Sequence, residues 1–179
     1  MHSHQRWRTR LMWALRIVAP TSRACSRTLR ARALSGGMPS ARKRGVSLAD
    51  VRYLTATWAL LVFYRIALAF APYRLVRRVL PVQRTPRTAP SWALARTRWA
   101  VSNAARAAFG ATCLPQALAA NALLSLQGYG SVIRIGVRRS ESGAVQAHAW
   151  VLSDDRVVVG DDGECLESFT PLTDLGPRA

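Results

Sequence analysis

The stretch Thr112-Cys113-Leu114-Pro115-Gln116-Ala117-Leu118-Ala119, continuing through Asn121 and Leu124 to Gly128, decides how this chain folds. Leu114, Leu118, Ala122 and Leu126 recur every four residues, the spacing of one helix face, and Gly128 stops the run. Pro115 fits a helix only in its first turn, where its missing N–H breaks no intrahelical bond. The proline therefore fixes the start of a helix over Leu114–Gln127, directly beside Cys113. A thiol so placed sits among unpaired backbone N–H groups at the positive end of the helix dipole, and both favour thiolate. The same N–H groups can hold the oxyanion of a tetrahedral intermediate. A cysteine at a helix start is more often structural than catalytic, so its meaning depends on the residues the chain brings to it.

After Gly128 the pattern changes to alternation. Ile133, Ile135 and Val137 mark a strand over Ser131–Val137, Ser140–Gly143 forms a turn, and Val145–Leu152 alternates again before Asp154-Asp155 and Val157–Val159. This predicts a helix leading into an antiparallel three-strand meander. In the middle strand Val145, Ala147, Ala149 and Val151 share one face, and Gln146, His148, Trp150 and Leu152 share the other. With Asp154-Asp155 as a two-residue turn, Ser153 pairs with Arg156 and His148 lies across from Asp161, close enough for a carboxylate to reach an imidazole. One added residue exchanges the faces and substitutes Asp162. Cys113, His148 and Asp161 thus stand as nucleophile, general base and orienting carboxylate, a set that assembles a thiol enzyme.

Upstream, Ser47 with Asp50 three residues later reads as a helix start with an acid in the first turn. The apolar run Tyr53–Phe63 is broken by Arg65 and resumes at Ile66–Ala71 before Pro72. It is shorter than the roughly 20 apolar residues a bilayer span needs, so a buried helix is expected. Peripheral membrane contact through Arg74, Arg77 and Arg78 is the lesser expectation. Pro81–Pro90 is a loop. Ser91 opens another helix in which Trp92, Ala95, Trp99 and Ser102 or Asn103 recur at helical spacing up to Gly110, with the tryptophans expected as core anchors. The domain is therefore placed at 46–179, helical over 46–128 and sheet over 129–165, an α+β fold with N-terminal helices packed on an antiparallel sheet.

The chain of 179 residues is half hydrophobic and carries a net charge of +17. That is enough for one domain with a real core. The charge is divided: residues 1–110 hold 21 of the 26 Lys and Arg and one acid, Asp50, whereas residues 141–179 hold eight of the nine acids. Such a basic half attracts anionic partners at long range. No zinc-finger spacing or RNA-binding aromatic pattern accompanies it, so nucleic acid is not expected as a partner. Residues 1–45 contain no acid and are expected to be a disordered extension, or to precede a natural start at Met38. Arg16 interrupts the signal-like run Leu11–Pro20, and secretion is not expected. An Arg-rich, acid-free start also resembles an organelle transit peptide, which nothing else in the chain favours. Cys25, Cys113 and Cys165 include no CxxC pair, which suggests a reducing, cytoplasmic setting with Cys25 and Cys165 as packing residues or bystanders. The three histidines show no ligand spacing, so no metal is expected.

Taken together, Cys113-Leu114-Pro115-Gln116-Ala117-Leu118-Ala119, the helix to Gly128, Ile133-Arg134-Ile135-Gly136-Val137, Ala147-His148-Ala149-Trp150-Val151 and Val158-Val159-Gly160-Asp161 resemble the transglutaminase-like cysteine proteases of lasso peptide biosynthesis. The resemblance covers about residues 46–165 and is densest after Cys113. It implies a papain- or transglutaminase-like fold and a triad of Cys113, His148 and Asp161. It also implies removal of a leader from a ribosomally made precursor peptide, before an asparagine-synthetase-like cyclase closes the ring. The spacing between His148 and Val-Gly-Asp is one residue longer than is usual in that family, and this weakens Asp161 most. Residues 1–45 are too short and too Arg-rich for a fused recognition domain, so a separate leader-recognition protein is implied. No phosphate-cradling glycine loop is present, so this chain is expected to bind no cofactor and any ATP belongs to the cyclase. Two other readings stay open at this point: a transglutaminase-type acyl transferase, which shares the first half-reaction, and a non-catalytic basic module that binds acidic peptides.

Overall fold

Ser47 starts the first helix as its sequence dictates. Its hydroxyl accepts from the Ala49 N–H at 3.2 Å, while the Asp50 carboxylate accepts from the Ser47 N–H at 3.3 Å, a reciprocal capping box. The computed structural model describes residues 47–176 except 72, 79, 82–84, 109–111, 141–142 and 162–164, together with the side chains at 73, 74 and 77. Expectations placed on residues 1–45, Gly110 and Asp162, and on the side chains of Arg74 and Arg77, lie outside what is described.

Four helices come first: α1 (Leu48–Phe70), the short α2 (Tyr73–Arg78), α3 (Ser91–Ala107) and α4 (Cys113–Leu126). Strands β1 (Val132–Arg139), β2 (Val145–Ser153) and β3 (Arg156–Val159) come next, then a 3-10 turn at Leu166–Ser168 and β4 (Thr170–Leu175). The sheet is antiparallel with order β3-β2-β1-β4. The expected meander is therefore extended by a fourth strand on the outer edge of β1, and the sheet continues past residue 165. Pro171 can sit in β4 because an edge strand leaves one side of its backbone without ladder partners.

Helix α4 is the centre of the molecule. Leu118 and Leu124 are fully buried, as are Ala117, Ala119 and Ala120, and the helix packs against α1, α3 and the sheet. Alanines let neighbouring elements approach its backbone closely. Its one buried amide is satisfied: Asn121 Nδ2 donates to the Ser131 carbonyl at 3.1 Å and to the Ser131 hydroxyl at 2.9 Å, tying the helix to the entry of β1. Around the helix end, the Arg87 N–H donates to Gly128 O and the Gly130 N–H to Arg87 O, so the proline-rich connection is pinned to the chain that leaves α4.

Two expectations about the helices are corrected. Helix α1 is not a buried helix; within it Thr57, Leu61 and Tyr64 are buried, while Phe63, Ile66 and Phe70 are exposed. In α3 the tryptophans are not core anchors, because Trp92 and Trp99 lie on the outside. The buried stripe is Ala93, Leu94, Thr97, Ala100, Val101 and Ala104, small residues that allow α3 to lie close to α1 and α4. The helices are joined by polar links as well. The Tyr53 and Thr97 hydroxyls stand 2.9 Å apart, Gln127 Nε2 donates to Tyr53 Oη at 3.1 Å, and Arg65 Nη1 donates to Ala108 O at 2.9 Å.

Candidate active site

Cys113 is the first residue of α4, and its N-cap Thr112 makes no side-chain capping bond to the first turn. The thiol is free and half-buried. The helix start points it at β2, the strand against which α4 packs. Burial alone would push the thiol up. A hydrogen bond to His148 and the charge of that ring more than offset it, with backbone hydrogen bonds from Ala149 and Leu114, and leave Cys113 below the ordinary cysteine value. Cys113 and His148 are thus brought together, 35 residues apart in sequence.

The imidazole is held from several sides. His148 Nε2 lies 2.7 Å from the Gly160 carbonyl oxygen. A carbonyl can only accept, so this nitrogen carries a hydrogen, which fixes the tautomer of the neutral ring. Trp150, one stride along the same face of β2, is stacked on the ring with centroids 6.0 Å and planes 21° apart, and Phe169 sits at 5.3 Å. Arg138 covers the other side of this cluster, 4.5 Å above the Phe169 ring, and donates to Gln146 Oε1 at 2.8 Å. The pair is therefore bordered by aromatic surface and by one guanidinium.

Gly160 has no substitute at its position. Its φ is +104°, and a Cβ would stand 2.6 Å from Trp150 Cβ and 2.8 Å from Trp150 Cα. Only glycine brings a carbonyl to the imidazole there.

The hairpin forms as counted at its tip and departs from the count beyond it. Asp154 and Asp155 both have positive φ, 47° and 59°, as a tight two-residue turn requires, and Ser153 pairs with Arg156. The register then shifts: Leu152 pairs with Val157, but Val151 pairs with Val159. This bulge at Val158 advances β3 by one residue, so the count that set Asp161 across from His148 no longer holds. The Asp161 carboxylate instead accepts from Arg98 Nη2 at 2.6 Å, an ion pair that fastens the end of β3 to α3. Asp161 is adjacent to the imidazole through the Gly160–Asp161 peptide, whose carbonyl receives the Nε2 hydrogen.

Sequence reasoning missed Gly160, Arg98 and Phe169. A glycine closing a valine run was the signal for Gly160, while Arg98 and Phe169 carry no local mark. Cys25, expected with Cys165 to be a packing residue or bystander, lies outside the described residues. Among the described residues no three His, Cys, Asp or Glu side chains are grouped to hold a metal ion.

Neither the curated proteins nor the solved structures contain a significant match to this chain. A family model described as the Transglutaminase-like superfamily matches residues 57–174, from the middle of α1 to the last strand. That superfamily includes cysteine proteases and acyl transferases, and its members are generally cysteine-dependent enzymes. The match covers helices, sheet and the Cys113–His148 seam in one piece, and the chain belongs to the transglutaminase-like superfamily.

Proposed function

We propose that the protein is a cysteine peptidase that removes the leader from a ribosomally made lasso peptide precursor. The observation that carries the acyl-transfer chemistry is the lowered Cys113 thiol at a helix start, hydrogen-bonded to His148. The substrate class rests on the sequence resemblance.

In this reading the Cys113 thiolate attacks the scissile carbonyl, and the oxyanion is received by N–H groups at the α4 start. His148 gives a proton to the departing amine, the C–N bond breaks and a thioester remains. His148 then takes a proton from water, whose oxygen attacks the thioester and releases the carboxylate with the thiol restored. Because Nε2 is committed to the Gly160 carbonyl, the other ring nitrogen exchanges these protons. The resemblance makes Asp161 the orienting carboxylate, with Asp162 as the competing candidate; in the structure the Asp161 carboxylate accepts from Arg98 and the Nε2 hydrogen goes to the Gly160 carbonyl. Leader recognition by a separate protein, and ATP use by an asparagine-synthetase-like cyclase, complete the proposed pathway; this chain supplies the thiol chemistry. A superfamily that includes acyl transferases keeps a second outcome in view, in which an amine rather than water resolves the thioester.

Intact-mass analysis of precursor peptide incubated with the protein and the recognition protein decides between them. Two fragments are expected, and a joined product would favour transfer. Cys113→Ala and His148→Ala should each lower cleavage by roughly 10³-fold or more with folding retained. Undiminished cleavage by either variant would falsify the assignment. Asp161→Asn and Asp162→Asn measured side by side identify the carboxylate that matters.

A further inference from the structure

Helix α1 is 23 residues long and apolar enough to cross a membrane, yet only 17% of its apolar window is buried in the molecule. A core helix passes the same hydropathy test by being wrapped on all sides, and α1 is not wrapped. Val51, Trp58, Phe63, Ile66 and Phe70 are exposed, Ile66 by 53% and Phe70 by 78%. At about 100° per residue these five fall in one sector of about 140°, opposite the buried Thr57, Leu61 and Tyr64. The surface continues onto α3: Leu54 and Trp58 share a shallow groove with Asn103, Ala104 and Ala107, and Trp92 and Trp99 are exposed on the same helix.

The exposed charges described on the helices have one sign, and Arg52 lies within the same sector of α1. Arg52, Arg78 and Arg106 are exposed on α1, α2 and α3. Asp50, the single acid in residues 1–110, is already paired with Arg96 at 3.0 Å. Eight of the nine acids lie in residues 141–179, among and after the strands. An apolar face on a helical half whose exposed charges are arginines, in a chain whose acids lie mostly in residues 141–179, complements an anionic lipid surface and repels a second copy of itself.

Spanning is excluded by what α1 already holds. Its Thr57–Leu61–Tyr64 stripe packs into the core, Arg65 donates to Ala108 O, and Asp50 pairs with α3. Passage through a bilayer would strip these contacts away and leave Arg65 in hydrocarbon. We infer that the α1 face is an interfacial anchor, which lays the helical side of the protein in the headgroup region of an anionic bilayer with the sheet side toward water.

The test uses the full chain and needs no peptide substrate. Sedimentation with vesicles of phosphatidylglycerol and phosphatidylcholine in equal parts is compared with phosphatidylcholine alone, at low and high salt. Binding to the anionic vesicles is expected, with a blue shift of tryptophan emission. An Ile66→Ser/Phe70→Ser double variant, whose far-UV spectrum and melting temperature are unchanged, should bind at least about ten-fold more weakly. Arg52→Glu/Arg106→Glu reports the electrostatic share by a lower sensitivity to salt. Unaltered binding by Ile66→Ser/Phe70→Ser assigns the lipid affinity to basic segments elsewhere in the chain and overturns the proposal. Absence of vesicle binding overturns it too, whether the wild type then self-associates through Ile66 and Phe70 or takes up an acidic protein there.

Discussion

Helices α1 and α4 are both apolar over most of their length, yet one lies open on the molecule and the other is enclosed by it. In α4 ten of 14 residues are buried, whereas in α1 three of 23 are. The difference comes from position. Helix α4 is in contact with α1, α3 and three strands, so any outward turn of its surface meets another element. Among the described residues, helix α1 packs chiefly on the other helices, with its buried residues along one stripe. The thiol is carried by the enclosed helix, where neighbours on every side fix the Cys113 start against β2. The open helix is left with apolar surface that the fold does not use. Hydropathy alone cannot distinguish the two, because it records composition and not what stands opposite each face.

Truncation of one side chain in each helix gives the sharpest contrast. Leu124 is fully buried, and Leu124→Ala should cost about 2–5 kcal/mol of unfolding free energy through lost transfer energy and a residual cavity. Ile66→Ala, at a residue 53% exposed, should change stability by no more than about 1 kcal/mol. Urea unfolding monitored by circular dichroism measures both. Losses of equal size would mean that α1 is as integral to the folded core as α4, and the contrast between the two helices would be lost.

The legible parts of the sequence are those with a local chemical mark. Ser47 with Asp50 sets the start of α1, Pro115 sets the start of α4, and Asp154-Asp155 sets the hairpin tip, each because a backbone constraint is met by a recognisable residue. The Cys113–His148 pairing is legible because a thiol at a proline-fixed helix start and an imidazole on the hairpin that follows are read together, neither being decisive alone. The features that escape depend on long-range packing. Strand β4 reads Thr-Pro-Leu-Thr-Asp-Leu, with five of six residues exposed, and so shows none of the alternation that marks a half-buried strand. The Trp92–Trp99 spacing points to the wrong face of α3, since close helix packing selects small residues and the core face is the alanine stripe beside the tryptophans. The bulge at Val158 lies inside a uniform valine run and has no signature at all. The Gly160 carbonyl is a backbone atom, invisible to a search by side-chain type.

A second contrast compares the two ion pairs that tether sheet edges, and its larger effect belongs to Arg98. Arg98–Asp161 adjoins the carbonyl that holds His148, so Arg98 is a positioning residue for the thiol–imidazole pair. With side chains 37% and 26% exposed, the pair contributes no more than about 1 kcal/mol to stability after solvent screening. Its effect should be seen in the thiol. The rate of Cys113 alkylation against pH should show a midpoint below the ordinary value of about 8.5 in the wild type. In His148→Ala the midpoint should rise, because burial is then opposed only by the backbone hydrogen bonds from Ala149 and Leu114. In Arg98→Ala it should move part of the way, with a several-fold slower reaction at neutral pH, and Arg98→Lys should restore part of the loss. An Arg98→Ala protein that is less stable but has an unshifted midpoint would make Arg98 a strut and nothing more.

Arg134–Asp174 supplies the control and the smallest effect. The guanidinium donates from Nε at 2.8 Å and from Nη2 at 2.7 Å, a bidentate pair joining β1 to β4 on the far side of the sheet from β3. The hydrogen bonds to Arg134 hold the Asp174 carboxyl below its usual value. A depressed carboxyl contributes stability that is present above its unfolded value of about 3.9 and lost as pH falls through the folded one. Arg134→Ala should therefore lower stability at pH 7 by about 0.5 kcal/mol, since the side chains are 36% and 44% exposed. The gap between variant and wild type should narrow below about pH 4 and shrink in high salt. The Cys113 alkylation profile should not move, because nothing in this pair reaches His148. An unshifted midpoint in Arg134→Ala, beside a shifted one in Arg98→Ala, separates a pair that holds the sheet from a pair that holds the imidazole. A shift of equal size in both would mean that the thiol responds to sheet stability in general, and the positioning role of Arg98 would fall with it.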